Sequence, residues 1–69
     1  MQFTRDTWYA DRTPVTMYMT IHDADGTATI HSHEDVTGVH MGEPDRPLLM
    51  GLRSLYRDAQ DYAYYNWED

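Results

Sequence analysis

Over residues 45–67 the sequence DRPLLMGLRSLYRDAQDYAYYNW repeats apolar side chains at alternating steps of four and three, and no other stretch is as long or as regular. Leu48, Leu52, Leu55, Ala59, Tyr62 and Asn66 fall on one stripe at about 100° per residue. Tyr56, Ala63, Leu49 and Trp67 widen it to an arc of roughly 140°, the width of a helix face that lies on a core. The pattern predicts one long C-terminal helix, with Asp45 as its N-cap and Pro47 in the first turn, where a missing N–H costs nothing. The rest of the chain must supply the surface that this stripe covers.

Upstream the period changes to two. Val15, Met17, Met19 and Ile21 alternate with Thr16, Tyr18, Thr20 and His22, which predicts a strand over residues 15–22 with one apolar and one wet face. Residues 2–10 carry β-favouring types, Phe3, Thr4, Thr7, Trp8 and Tyr9, with an irregular alternation that reads as an edge strand. Residues 10–14 form a turn ended by Pro14. Asp23-Ala24-Asp25-Gly26 reads as a four-residue hairpin connection, with Gly26 free to take positive φ. A strand over residues 27–33 returns. That loop pairs His22 with Thr27 and sets Ile21 opposite Ala28, Met19 opposite Ile30 and Met17 opposite Ser32. Every apolar residue then keeps to one face, whereas a three-residue loop mixes the faces. Residues 34–43 are either a short fourth strand or a loop, since Thr37 and Gly38 split Val36 from Val39 and Met41. The expectation is a single small α+β domain over residues 1–69. It has an antiparallel three- to four-stranded sheet packed on one face by a single long C-terminal helix, in the order β-β-β-(β)-α. Leu48, Leu52, Leu55, Ala59 and Tyr62 should meet Val15, Met17, Met19, Ile21, Ala28 and Ile30.

A chain of 69 residues buries only about 60% of its unfolded surface. Without Cys there is no disulfide staple, so a dense core, a metal held by His and carboxylate, or a partner must help. Twelve acidic side chains against five Arg give a net charge of −7. Direct nucleic-acid binding and an anionic membrane are disfavoured, because both need Lys and Arg, while a basic protein partner suits the sign. The start lacks the apolar run of a signal peptide and nothing approaches the length of a membrane span, so a cytoplasmic location is expected.

Four histidines, His22, His31, His33 and His40, stand among Asp23, Asp25, Glu34 and Asp35. His31-Ser32-His33-Glu34-Asp35 resembles the opening of the metallo-β-lactamase metal motif. Val36 stands where that motif continues with His, and the chain is too short for that two-sheet fold, so the family is not carried over. On strand geometry, His31 and His33 project from one face about 7 Å apart and can share an ion whose third ligand is His40 or a nearby carboxylate. The competing expectation has the strand histidines His22, His31 and His33 decorating the solvated face, with His31 stacked on Tyr18 and His33 beside Thr16. Asp23-Ala24-Asp25-Gly26 lacks the later oxygen ligands of a calcium loop and is a turn. With no nucleophile beside a His–Asp pair, no phosphate cradle and little room for a pocket of roughly 300 Å³, an enzyme is not expected.

The functional expectation is a small acidic protein-binding module that occupies a basic surface of a partner, including a nucleic-acid-binding one. In size, acidity and absence of motif the chain resembles the small inhibitors of phages and mobile elements, among them anti-CRISPR proteins and DNA mimics. In a mimic, carboxylates such as Asp6, Asp11, Glu34, Asp35, Asp58 and Asp61 stand in for phosphates. The contact surface is expected on the far side of the helix, at Met50, Arg57, Asp58, Asp61, Tyr64, Tyr65 and Glu68, with Glu34 and Asp35 beside it. One alternative is a Zn-binding domain using His31, His33 and His40. A second is a homo-oligomeric structural protein, in which a homodimer forms through a strand edge or the Met50 and Tyr64 face.

Overall fold

The computed structural model describes residues 1–22 and 25–66. Four strands precede one helix: β1 Gln2–Trp8, β2 Pro14–Ile21, β3 Ala28–Asp35, β4 Gly38–Met41 and α1 Gly51–Asn66. The strands form an antiparallel meander in the order β1-β2-β3-β4, and α1 packs over the central pair, β2 and β3. This is the expected α+β architecture, and the segment left open between strand and loop supplies β4. No described helix is long and apolar enough to cross a membrane.

The alternation in β2 organises the core. Val15, Met17, Met19 and Ile21 are all buried, and Met17 and Met19 are fully so. Met19 sits between Phe3 of β1 and Ile30 of β3 in the ladder. From α1, Leu55, Ala59 and Ala63 close over them, with Leu52 and Tyr56 partly buried at the margin. Tyr62 lies at the rim, half exposed, its ring 5.2 Å from that of Phe3. The irregular alternation of β1 has a simple cause. Arg5 pairs with Met17 on the core side of the sheet, and its guanidinium reaches out to Asp58 of α1 at 3.1 Å.

Each hairpin closes on the same three-residue device. The Oδ1 of Asp11, Asp25 and Asp35 accepts the backbone N–H of Thr13, Thr27 and Thr37 at 3.0, 3.1 and 2.9 Å, so Asp-x-Thr marks all three strand connections. In the second connection, His22 donates its N–H to Thr27 at 2.7 Å and Gly26 donates to His22 at 2.8 Å with φ +72. The expected closure by His22, Gly26 and Thr27 is therefore present, while Asp23 and Ala24 lie outside the described residues.

Two expectations are corrected. The helix starts at Gly51, not at Asp45, so neither Asp45 nor Pro47 caps it. Leu48 bridges Tyr9, the Leu49 N–H donates to Trp8 O at 2.9 Å, and the Ala10 N–H donates to Pro47 O at 2.8 Å. These bonds hold residues 47–49 extended along the end of β1, and Gly51 at φ +76 turns the chain into α1. Leu48 still packs on the core, but Leu49 is half exposed. The second correction concerns register. Ile21 faces Ala28 and Met19 faces Ile30 as expected, but the ladder slips between Tyr18 and Met19, so Met17 faces His33 rather than Ser32. A β-bulge at His31 adds one residue to β3, and beyond it each side chain changes face.

Candidate functional site

The bulge separates the histidines that an ideal strand would keep together. His31 stays on the face away from α1, with its ring 6.5 Å from Tyr18. His33 turns to the core side, where it is buried, and its Nδ1 lies 2.7 Å from Gly42 O. It pairs across strands with His40, ring on ring at 5.1 Å, while Thr16 faces Glu34 instead. His31, His33 and His40 therefore do not converge on one ion. Among the described residues no three His, Asp or Glu side chains do.

Instead, His33 and His40 help line a cleft of about 420 Å³ with Tyr9, Asp35, Thr37, Glu43, Asp45 and Arg46. Its organising group is Asp35, whose side chain is only 6% exposed. The Tyr9 hydroxyl donates to Oδ2 at 2.6 Å. Oδ1 accepts the Thr37 N–H and the Thr37 hydroxyl, and lies 3.2 Å from His40 Nε2. Arg46 covers the Tyr9 ring at 4.0 Å and pairs with Asp11. Thr37 Oγ1 and Asp35 Oδ1 both approach the same nitrogen of His40, the Oγ1 at 2.8 Å. A nucleophile relay needs hydroxyl and carboxylate on opposite ring nitrogens, so this geometry clamps the β3–β4 turn.

The donors around Asp35 hold its carboxyl well below the usual range, the Thr37 hydroxyl first and Tyr9 next. Asp11 is lowered chiefly by the Thr13 N–H and Asp25 by the Thr27 hydroxyl. Because the folded chain holds these protons less tightly than the unfolded one, their stabilisation is complete above about pH 5 and is lost as pH falls through the ordinary carboxylate range and below. The melting temperature should therefore fall on acidification, and Asp35→Asn should flatten that fall. Parallel profiles for the two proteins would contradict this. At the other end, burial pushes Tyr9 and Tyr56 up to about 12, with Asp35 and Glu43 as their respective acceptors. Stability should accordingly decline as pH rises from about 10 toward 12.

The outer side of α1 carries Arg57, Asp61, Tyr64 and Tyr65, four of the nine expected contact residues. Arg57, Asp61, Tyr64 and Tyr65 share one exposed stripe at helical spacing, and the two tyrosine rings meet edge-on at 5.3 Å. Tyr64 and Tyr65 are 76% and 79% exposed. Met50 is exposed but precedes the helix, and Asp58 is engaged by Arg5. Glu34 is exposed on the open face of the sheet, where the Tyr18 hydroxyl holds it at 2.9 Å. Asp35 is drawn inward, and Glu68 lies outside the described residues. Comparison with protein-family models, with curated proteins and with solved structures finds no match.

Sequence reasoning missed Tyr9, Thr37 and Arg46 as members of a cluster. The Asp-x-Thr recurrence was available as a turn signal for Asp35 and Thr37. Nothing in the sequence places Tyr9 and Arg46 beside them, because the Tyr9 contact depends on the bulge that turns Asp35 to the core side and the Arg46 contact on how residues 46–49 return along β1.

Proposed function

We propose that this chain is a small acidic protein-binding module that occupies a basic surface on a partner protein. The observation that carries the reading is the uncompensated charge. Among the described residues, Asp6, Asp25, Glu34, Glu43, Asp45 and Asp61 are exposed and no Arg forms an ion pair with them. Several are held in place: Thr16 donates to Asp6 at 3.0 Å, Tyr18 to Glu34 and Tyr56 to Glu43. Carboxylates fixed by neutral hydroxyls keep their full charge and lose little freedom on binding, which favours a cationic partner. The stripe of Tyr64 and Tyr65 beside Asp61 supplies the aromatic area that such contacts use. An inhibitor that covers the nucleic-acid-binding surface of its target fits these features.

Affinity capture from cell lysate tests the reading, with the intact chain as bait and two variants beside it. One joins Asp45→Asn to Asp61→Asn, and the other joins Tyr64→Ala to Tyr65→Ala. A specific, basic captured protein whose recovery drops about tenfold with the neutralised bait is the expected result. A captured protein that is acidic, or one held equally by the neutralised bait, would reject the proposal.

A further inference from the structure

The two edges of the sheet are treated differently. β1 carries Arg5 and Asp6, and its end is covered where Leu48 bridges Tyr9. β4, Gly38-Val39-His40-Met41, is four residues long and has no charged Asp, Glu, Lys or Arg and no Pro, two of the devices that guard an edge. No described strand pairs with its outer side. The Gly42 N–H donates to His31 O at 2.8 Å. By the alternation of an antiparallel ladder, His40 and Gly38 then bond toward β3, while the N–H and C=O of Val39 and Met41 point outward. Their side chains are 63% and 82% exposed, and Val36 at the turn is 77% exposed.

We infer that β4 is a strand-addition edge whose occupant is an extended segment of the basic partner, with apolar and basic residues in alternation. Charge decides the occupant. Glu34 faces Val39 across the ladder, and Glu43 and Asp45 stand in the cleft that His40 and Met41 line. A second copy would bring these carboxylates together on two chains of net charge −7, whereas a basic segment is attracted. Apolar side chains of the added strand lie against Val39 and Met41, and the alternate ones reach the cleft beside His40. The inference rests on the proposal that the partner is basic.

Amide spectra of the full chain, titrated with a capped peptide of alternating Lys and Val, test it. An alternating Glu and Val peptide is the control. The Lys peptide should shift and protect the Val39 and Met41 amides, and the Glu peptide should not. Met41→Pro and Val39→Pro each remove one outward donor and leave the bonds of His40 to β3, so each should weaken peptide binding about tenfold. Shifts at Asp61 and Tyr64 with unchanged affinity in the proline variants would overturn the edge and leave the basic-partner proposal standing. No shift anywhere at millimolar Lys peptide would overturn both. Protection of Val39 and Met41 without peptide, with a mass that doubles as concentration rises, would make the occupant a second copy and overturn the inference.

Discussion

Met19→Ala should destabilise the fold by about 3 kcal/mol, as expected for truncating a fully buried methionine. The side chain lies at the crossing of the two hydrophobic ladders, between Phe3 and Ile30, beneath the helix. In a domain this short a cavity has little surrounding core to collapse into it. The whole chain is expected to be stable by only about 3–10 kcal/mol, so the substitution removes a large share of what holds it. The melting temperature should fall by roughly 15 °C. Met41→Ala, at an 82% exposed position, is the matched control and should stay within about 0.5 kcal/mol of the parent. Chemical denaturation followed by far-ultraviolet circular dichroism measures both. Equal stabilities for the two variants would place the core elsewhere.

Asp35→Ala should be the most damaging change at a polar position. It strips an acceptor from the buried Tyr9 hydroxyl, from the Thr37 N–H and hydroxyl, and from His40 in one step. Losing four donors costs more than losing one bond, and the buried Tyr9 hydroxyl is left unsatisfied while the exposed Thr37 and His40 turn to water. Tyr9→Phe removes a single donor from the same carboxylate and should cost about 1 kcal/mol. The Asp35→Ala loss should exceed that, and the double variant should fall short of the sum, since both changes remove the same bond. Amide exchange should also quicken across the β3–β4 turn. If Asp35→Ala matched Tyr9→Phe in stability and in exchange, the carboxylate would not be the organising group of the cleft.

The contrast between these two residues shows what the sequence made legible. Met19 could be placed in the core from the alternation of β2 alone, and its partner Ile30 followed from hairpin parity, because a half-buried sheet punishes a slipped register. Arg5 was the reason β1 read poorly, as a cation on the core side spoils the alternation unless its partner on the helix is known. The helix start was missed for a related reason. Pro47 and Asp45 satisfy the local rules for a beginning, but Leu48 gains more by bridging Tyr9, and Gly51 was the local sign that the chain turns there. The fate of His33 was not legible. A single bulged residue reverses the face of each side chain after it, and no composition rule places it at His31. The aromatic stripe on the helix was legible as exposed, since Tyr64 and Tyr65 lie off the apolar arc.

The most direct test of the functional account is the dissociation constant of the captured complex measured against ionic strength. Fixed carboxylates facing a basic surface predict binding that weakens steeply, by about a hundredfold between low salt and roughly 0.5 M, as screening shortens the reach of the charges. An affinity unchanged across that range would contradict the account, because contact through uncompensated carboxylates cannot be indifferent to salt.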